Sequence, residues 1–192
     1  MSRTVILLDS NAYFRLACSV RPLLGDEFGP DKCTLVVIPQ LAQEFRRSSR
    51  LQTKFEWVLE PEYVENRARH TLTSPKKCRE EIELTCSYVA GRAEELGLTV
   101  SPVDCWALAS AHVLRLALAT DDTGMQALAG DLQLGAKLLT TLELLKLMLD
   151  ARRVSLGDVV TIVQYWQYNR DLPRNAREDY LRLFGTPMPK PD

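Results

Sequence analysis

Four short apolar runs, far apart in the chain, restrict what this sequence can fold into. Val5-Ile6-Leu7-Leu8 ends at Asp9, and Leu35-Val36-Val37-Ile38 is stopped by Pro39. Leu116-Ala117-Leu118-Ala119-Thr120 ends at Asp121-Asp122, and Lys137-Leu138-Leu139-Thr140 is the fourth. The first two are continuously apolar rather than alternating, the pattern of strands buried on both faces of a parallel sheet. Helix signals lie between the runs. Pro39 to about Arg50 reads as a helix with Leu41, Ala42 and Phe45 facing inward. Ser74-Pro75 predicts a helix start, with Ser as the cap and Pro at the first position, and Ile82, Cys86, Val89 and Ala93 recur at helical spacing up to Gly97. Ser101-Pro102 repeats the signal and puts Asp104 in a capping-box-like position. A short helix is expected around Met125–Leu128. Thr140-x-x-Glu143 caps another, with Leu142, Leu145 and Leu149 on one face. Strands alternating with helices mean an α/β fold with a mainly parallel sheet.

The alternation stops near residue 153. Ser155–Asn169 and Pro173–Phe184 read as helices, the second closed by Gly185, and the Pro-rich tail Thr186–Asp192 is expected to be disordered. This divides the chain into a domain over 1–153 and a helical extension over 154–192, expected to pack on the domain. A length of 192 residues suits that organisation.

The formal net charge is −1, so no overall basic field announces a nucleic-acid binder, and any such site must be a local patch. The five cysteines are odd in number and none is paired as CxxC, which disfavours zinc and a disulfide framework. Reduced cysteines, no signal-peptide pattern after Met1 and no apolar run near 20 residues lead to an expected cytoplasmic protein without a membrane span.

Four acids fall at special places. Asp9 and Asp122 lie at or just past the carboxyl ends of two strands, where open parallel sheets bind ligands. Asp104 opens the helix before the third strand, and Glu44 sits in the first turns of the helix after the second. Each alone could be ordinary: a turn, a cap or a solvated face. Together they would repel one another unless a cation neutralised them. Oxygen-only ligands favour Mg²⁺ or Mn²⁺, which can activate water against a phosphodiester.

At this point the chain resembles the PIN-domain nucleases. The resemblance rests on Leu8-Asp9-Ser10-Asn11, Ile38-Pro39 with Glu44, Pro102-x-Asp104, Leu118-Ala119-Thr120-Asp121-Asp122 and the run Ala127–Leu145, and it spans roughly residues 3–150. It implies a PIN-like α/β/α sandwich and a Mg²⁺- or Mn²⁺-dependent endoribonuclease hydrolysing RNA. Carried over by position, Asp9, Glu44 and Asp104 are core metal ligands. The fourth acid of the family follows Thr or Ser by two residues, which selects Asp122 after Thr120 and leaves Asp121 in reserve. Asn11 and Thr120 match supporting polar positions. Small PIN proteins are often toxins of toxin–antitoxin pairs (VapC-like), so an antitoxin partner and a homodimer are further expectations. The charged middle segment and the extension depart from that subgroup. The alternatives are a housekeeping RNA-processing nuclease and a PIN-like module that binds RNA or protein without cutting.

Arg46, Arg47 and Arg50 follow Glu44 and are candidates for holding RNA phosphates, equally readable as a solvated face. A second basic stretch from Arg67 to Arg79 reads as a surface loop, and His112 as a core residue. Tyr165, Trp166, Tyr168 and Tyr180 read as packing or interface residues before base-stacking ones.

Overall fold

A computed structural model describes residues 3–190. Its centre is a four-stranded sheet of β1 (Val5–Leu8), β2 (Thr34–Val37), β3 (Ala117–Ala119) and β4 (Lys137–Leu139) in the order β2-β1-β3-β4. All pairings are parallel, with Leu7 beside Val36 on one side and Leu118 on the other. The helices are α1 (Ser10–Ala17), α2 (Gln40–Arg47), α3 (Ser49–Lys54), α4 (Pro61–Arg69), α5 (Lys76–Glu95), α6 (Pro102–Leu114), α7 (Thr123–Asp131), α8 (Thr141–Asp150), α9 (Leu156–Tyr168) and α10 (Ala176–Phe184). A 3₁₀ turn over Glu56–Leu59 leads into α4.

The strand alternation sorts the core into two layers. Ile6 and Leu8 point to one face and pack with α1, α8, α9 and α10; Leu7 and Leu118 point to the other and pack with α5, α6 and α7. Both faces are covered, which accounts for the unbroken apolar runs. The result is an α/β/α sandwich, as expected for a PIN-like chain.

The extension is not a separate body. Val159, Ile162, Val163, Trp166 and Tyr180 belong to the same apolar cluster as Ile6 and Phe14. The end of the chain lies along α9, where Gln164 and Gln167 donate to the carbonyls of Lys190 and Pro189 at 3.1 and 2.8 Å. Residues 191 and 192, the last two of the tail expected to be disordered, lie outside the described residues.

Several boundaries differ from expectation. The helix predicted from Pro39 to Arg50 breaks at Ser48, whose extended backbone lets its hydroxyl accept from Leu51 N–H at 3.3 Å and start α3. Pro75, not Ser74, caps α5, and no described side chain caps it. The basic stretch from Arg67 to Arg79 is a loop only over residues 70–75, which join the end of α4 to the start of α5.

Candidate active site

Asp9 stands where β1 ends and α1 begins. Its backbone N–H bonds the carbonyl of Ala119 at 3.1 Å, tying it to the end of β3. Its Oδ1 caps α1 by accepting from Ala12 N–H at 2.6 Å. The side chain is buried, and Oδ2 has no hydrogen-bond partner among the described residues. Burial pushes the carboxyl up to about 7; the neighbouring Thr120 hydroxyl and the Ala12 N–H pull it back, and the charges of Asp121 and Asp104 raise it further. The Thr120 hydroxyl itself donates to Met125 Sδ at 3.4 Å.

The other acids are arranged around it. Glu44, half-buried on α2, accepts a short hydrogen bond from the Ser10 hydroxyl. Burial raises its pKa, the Ser10 bond opposes this, and the charge of Asp104 adds to it. Asp104 occupies the third position of α6 in a full capping box: Asp104 N–H donates to Ser101 Oγ at 3.1 Å, and Asp104 Oδ2 accepts from Ser101 N–H at 3.2 Å. Its pKa is raised by burial, lowered by the Ser101 bonds and raised by the charge of Asp122. Asp122 caps α7, accepting from Met125 N–H at 2.7 Å, and its own N–H donates to Thr120 Oγ1 at 3.1 Å. The charge effects link Asp104 in turn to Asp9, Glu44 and Asp122, all at the carboxyl edge of the sheet, and Asp121 also acts on Asp9.

Asp121 is held differently. Arg15 Nη1 lies 2.5 Å from Oδ2, Thr141 N–H donates to Oδ1 at 2.9 Å, and the Thr141 hydroxyl donates to Oδ2. Both of its oxygens are engaged by the fold. Thr120 joins Asp122 to the strand end, whereas Asn11 is exposed on α1 next to the patch.

The three arginines separate. Arg46, Arg47 and Arg50 are all exposed and make no ion pair with a described residue. Arg47 lines the same cavity as Glu44, and Arg46 lines another with Phe45 and Arg67. Arg67 is buried, donating to Tyr13 Oη at 2.9 Å and the Val58 carbonyl at 2.6 Å, so it serves the core. Trp166 is also a core residue, its Nε1–H on the carbonyl of Arg15 at 2.8 Å. His112 is half-buried and accepts from Gly135 N–H at 3.1 Å through Nδ1.

Sequence reading missed Ser10, Arg15 and Thr141. Ser10 was within the quoted motif, but its link to Glu44 spans 34 positions. The Arg15–Asp121 pair spans 106 positions, and no local pattern announces it.

The donor set suits a hard divalent cation: carboxylates only, one of them with a buried oxygen that has no donor among the described residues. Among the described residues, however, no three His, Cys, Asp or Glu side chains converge closely enough to form a ligand group as they stand.

Fold and site together define an α/β/α sandwich with an acidic patch at the carboxyl edge of its parallel sheet. Comparison with known proteins finds no matching family and no matching curated protein. Among solved structures, the chain is similar to FitAcB from Neisseria gonorrhoeae at 16% identity and a TM-score of 0.46, over 71% of this chain and 98% of that one. No helix of the described residues is long and apolar enough to cross a membrane.

Proposed function

We propose that this chain is a metal-dependent endoribonuclease of PIN type. The observation that carries the reading is Asp9, a buried carboxylate at the end of the central strand with an oxygen unpartnered among the described residues, and with the charges of Asp121 and Asp104 acting on it. Asp9, Glu44, Asp104 and Asp122 would hold Mg²⁺ or Mn²⁺. Asp122 is preferred over Asp121 because only Oδ1 of Asp122 is used as a cap, whereas both oxygens of Asp121 are bonded. The bound ion would supply an oriented, more acidic water and charge stabilisation on the phosphodiester.

The chain's own residues set up that chemistry. Ser10 orients Glu44, the Ser101 capping box fixes Asp104, and Thr120 fixes the Asp122 backbone. Arg47, exposed beside Glu44, is placed to contact an RNA phosphate. The phosphodiester is split by attack of water on phosphorus, and the leaving oxygen of the ribose takes up a proton. Restraint by an antitoxin and homodimerisation belong to the same proposal and rest on the motif resemblance.

The non-catalytic binding reading keeps one argument, that the acids do not converge as a ready group. Cleavage of labelled mixed-sequence RNA by the purified chain separates the two. Cutting that needs Mg²⁺ or Mn²⁺, stops with EDTA and is lost in Asp9→Asn supports the nuclease. RNA binding without cutting in any of these conditions supports the module. Growth arrest on expression, relieved by a neighbouring small reading frame, tests the toxin role.

A further inference from the structure

Two cavities meet beside the acidic patch. One, of about 500 Å³, is lined by Glu44, Arg47, Gln40 and Trp106 among others. The second, of about 420 Å³, shares Gln40 and Trp106 and adds Ser110, Arg79 and Glu83. Both volumes lie within the range of small-ligand sites, about 300–1,000 Å³. Gln40 and Glu44 are four residues apart on α2, and Trp106 and Ser110 are four apart on α6, so each pair shares a helical face. The track therefore runs from the acid patch along two helices to Ser110.

Two polar groups in it lack partners. Ser110 is 1% exposed and its hydroxyl bonds no described residue, and neither does the buried Oε1 of Gln40. A buried polar group left unmet costs about 1–3 kcal/mol. A serine inside an otherwise apolar helix face, with no bond of its own, is therefore costly unless a water or a ligand meets it.

We propose that this second cavity is a nucleobase subsite of the RNA groove, taking an unstacked adenine or cytosine through its exocyclic amine. The inference rests on the nuclease reading for its placement but not for its chemistry. Gln40 Oε1 and the exposed Glu83 carboxylate accept hydrogen bonds, as the amine of adenine or cytosine requires. The Ser110 hydroxyl donates to a ring nitrogen. Trp106 supplies an aromatic surface for the ring, the usual way single-stranded RNA bases are held. Arg79 and Glu83 line this cavity with opposite charges, so no net positive field draws a phosphate to this end, while Arg47 lies toward the acids. Uracil presents carbonyls where the site offers acceptors, and is disfavoured.

The test uses the full chain carrying Asp9→Asn, with Mg²⁺, and labelled single-stranded oligomers of A, of C and of U, read by fluorescence anisotropy. Wild-type cleavage of the same oligomers is followed in parallel. The A or C oligomer is expected to bind about five- to a hundredfold more tightly than the U oligomer. Gln40→Met and Ser110→Ala should collapse that ratio, chiefly by weakening the A or C oligomer. Both should also raise the melting temperature, since each removes an unmet polar atom; a merely structural role would predict no change in the ratio. Trp106→Leu should weaken all three oligomers, and if it fails to fold the other two variants still decide.

Equal binding of all three oligomers, or an A:U ratio untouched by both polar variants, overturns the subsite, and metal-dependent cutting alongside leaves the nuclease standing. If no oligomer is cut under any metal condition, yet Gln40→Met abolishes the preference, the subsite is supported and the nuclease reading fails. If the variants leave RNA binding intact and instead disrupt self-association of the chain, the track is a protein contact and the proposal is overturned.

Discussion

Asp9 is both helix cap and ligand candidate, and its burial makes it costly. Its carboxyl titrates near 7 in the fold against an ordinary value of 3.8, because burial disfavours the charged form. The folded state therefore prefers the protonated acid: no cost arises below about pH 4, and the cost grows through the interval and is complete above about pH 7. Three units correspond to about 4 kcal/mol. Asp9→Asn keeps the Oδ1 cap on Ala12 and removes the charge. In EDTA, urea unfolding should find Asp9→Asn more stable than wild type by roughly 2–4 kcal/mol at pH 8 and no more stable at pH 4; equal effects at both pH values would refute the burial cost. Ser10→Ala makes the companion case. It frees Glu44 from the bond that lowers its pKa, so cleavage should fall about tenfold with unchanged circular dichroism, and the acid limb of the pH–rate curve should move to higher pH. Activity equal to wild type with an unmoved limb would make the Ser10–Glu44 bond incidental. Neither effect was legible in the sequence beyond the acids themselves. Asp9, Glu44, Asp104 and Asp122 stood out by their places at strand ends and helix starts, whereas Ser10 and Arg15 act through partners brought close only by the closed fold.

Elements were legible where a local signal coincided with the long-range fold. The starts of α6, α8 and α9 each carry a Ser or Thr followed three residues later by Asp or Glu, and all three form complete capping boxes. The strands were legible because both faces are buried. Helix α1 was not, because its cap is Asp9 itself and its eight residues, with only Asn11 and Arg15 four apart on the polar face, are too few to mark a period. The pieces from α3 to α4 are short and charged, and they are held by contacts such as the Phe14–Phe55 ring stack at 4.9 Å rather than by propensity. Glycines expose the same contest inside helices. Gly91 lies within α5 with nothing described within 4 Å of an added Cβ, so Gly91→Ala should stabilise by about 0.5–1 kcal/mol. Gly124 lies in the first turn of α7, where a Cβ would sit 3.0 Å from Asp122 Oδ1 and 3.2 Å from Val100. Gly124→Ala should forfeit the helical gain and push Asp122 off its cap, lowering both melting temperature and cleavage. Thermal melts of the two variants side by side check this, and an equal rise in both would show that the α7 start has room to give.

At the scale of the whole molecule, the boundary drawn at residue 153 meets a core that runs through it. Trp166, Tyr180, Val159, Ile162 and Val163 are buried against β1, α1 and α8 in one cluster. The extension also reaches the site. Arg15, which holds Asp121, donates from Nε to the Asp171 carbonyl at 2.9 Å and has its own carbonyl bonded by Trp166. The Asp171 carboxylate in turn pairs with Lys54 at 2.8 Å and with Arg15 at 3.4 Å. At about 1.5–3 kcal/mol for each large buried side chain, these five residues contribute on the order of 10 kcal/mol, comparable with the entire stability of an ordinary domain. A fragment ending at residue 153 should therefore not stand alone: it should unfold without a sharp transition, bind a hydrophobic dye and cut no RNA. Trp166→Ala in the full chain is the milder version, expected to cost about 3–5 kcal/mol and to loosen Arg15 from Asp121. A fragment of 1–153 that melts cooperatively and cleaves RNA with Mn²⁺ would prove the opposite, that the nuclease is complete without its C-terminal helices and the buried contacts of Trp166 serve only to seat them.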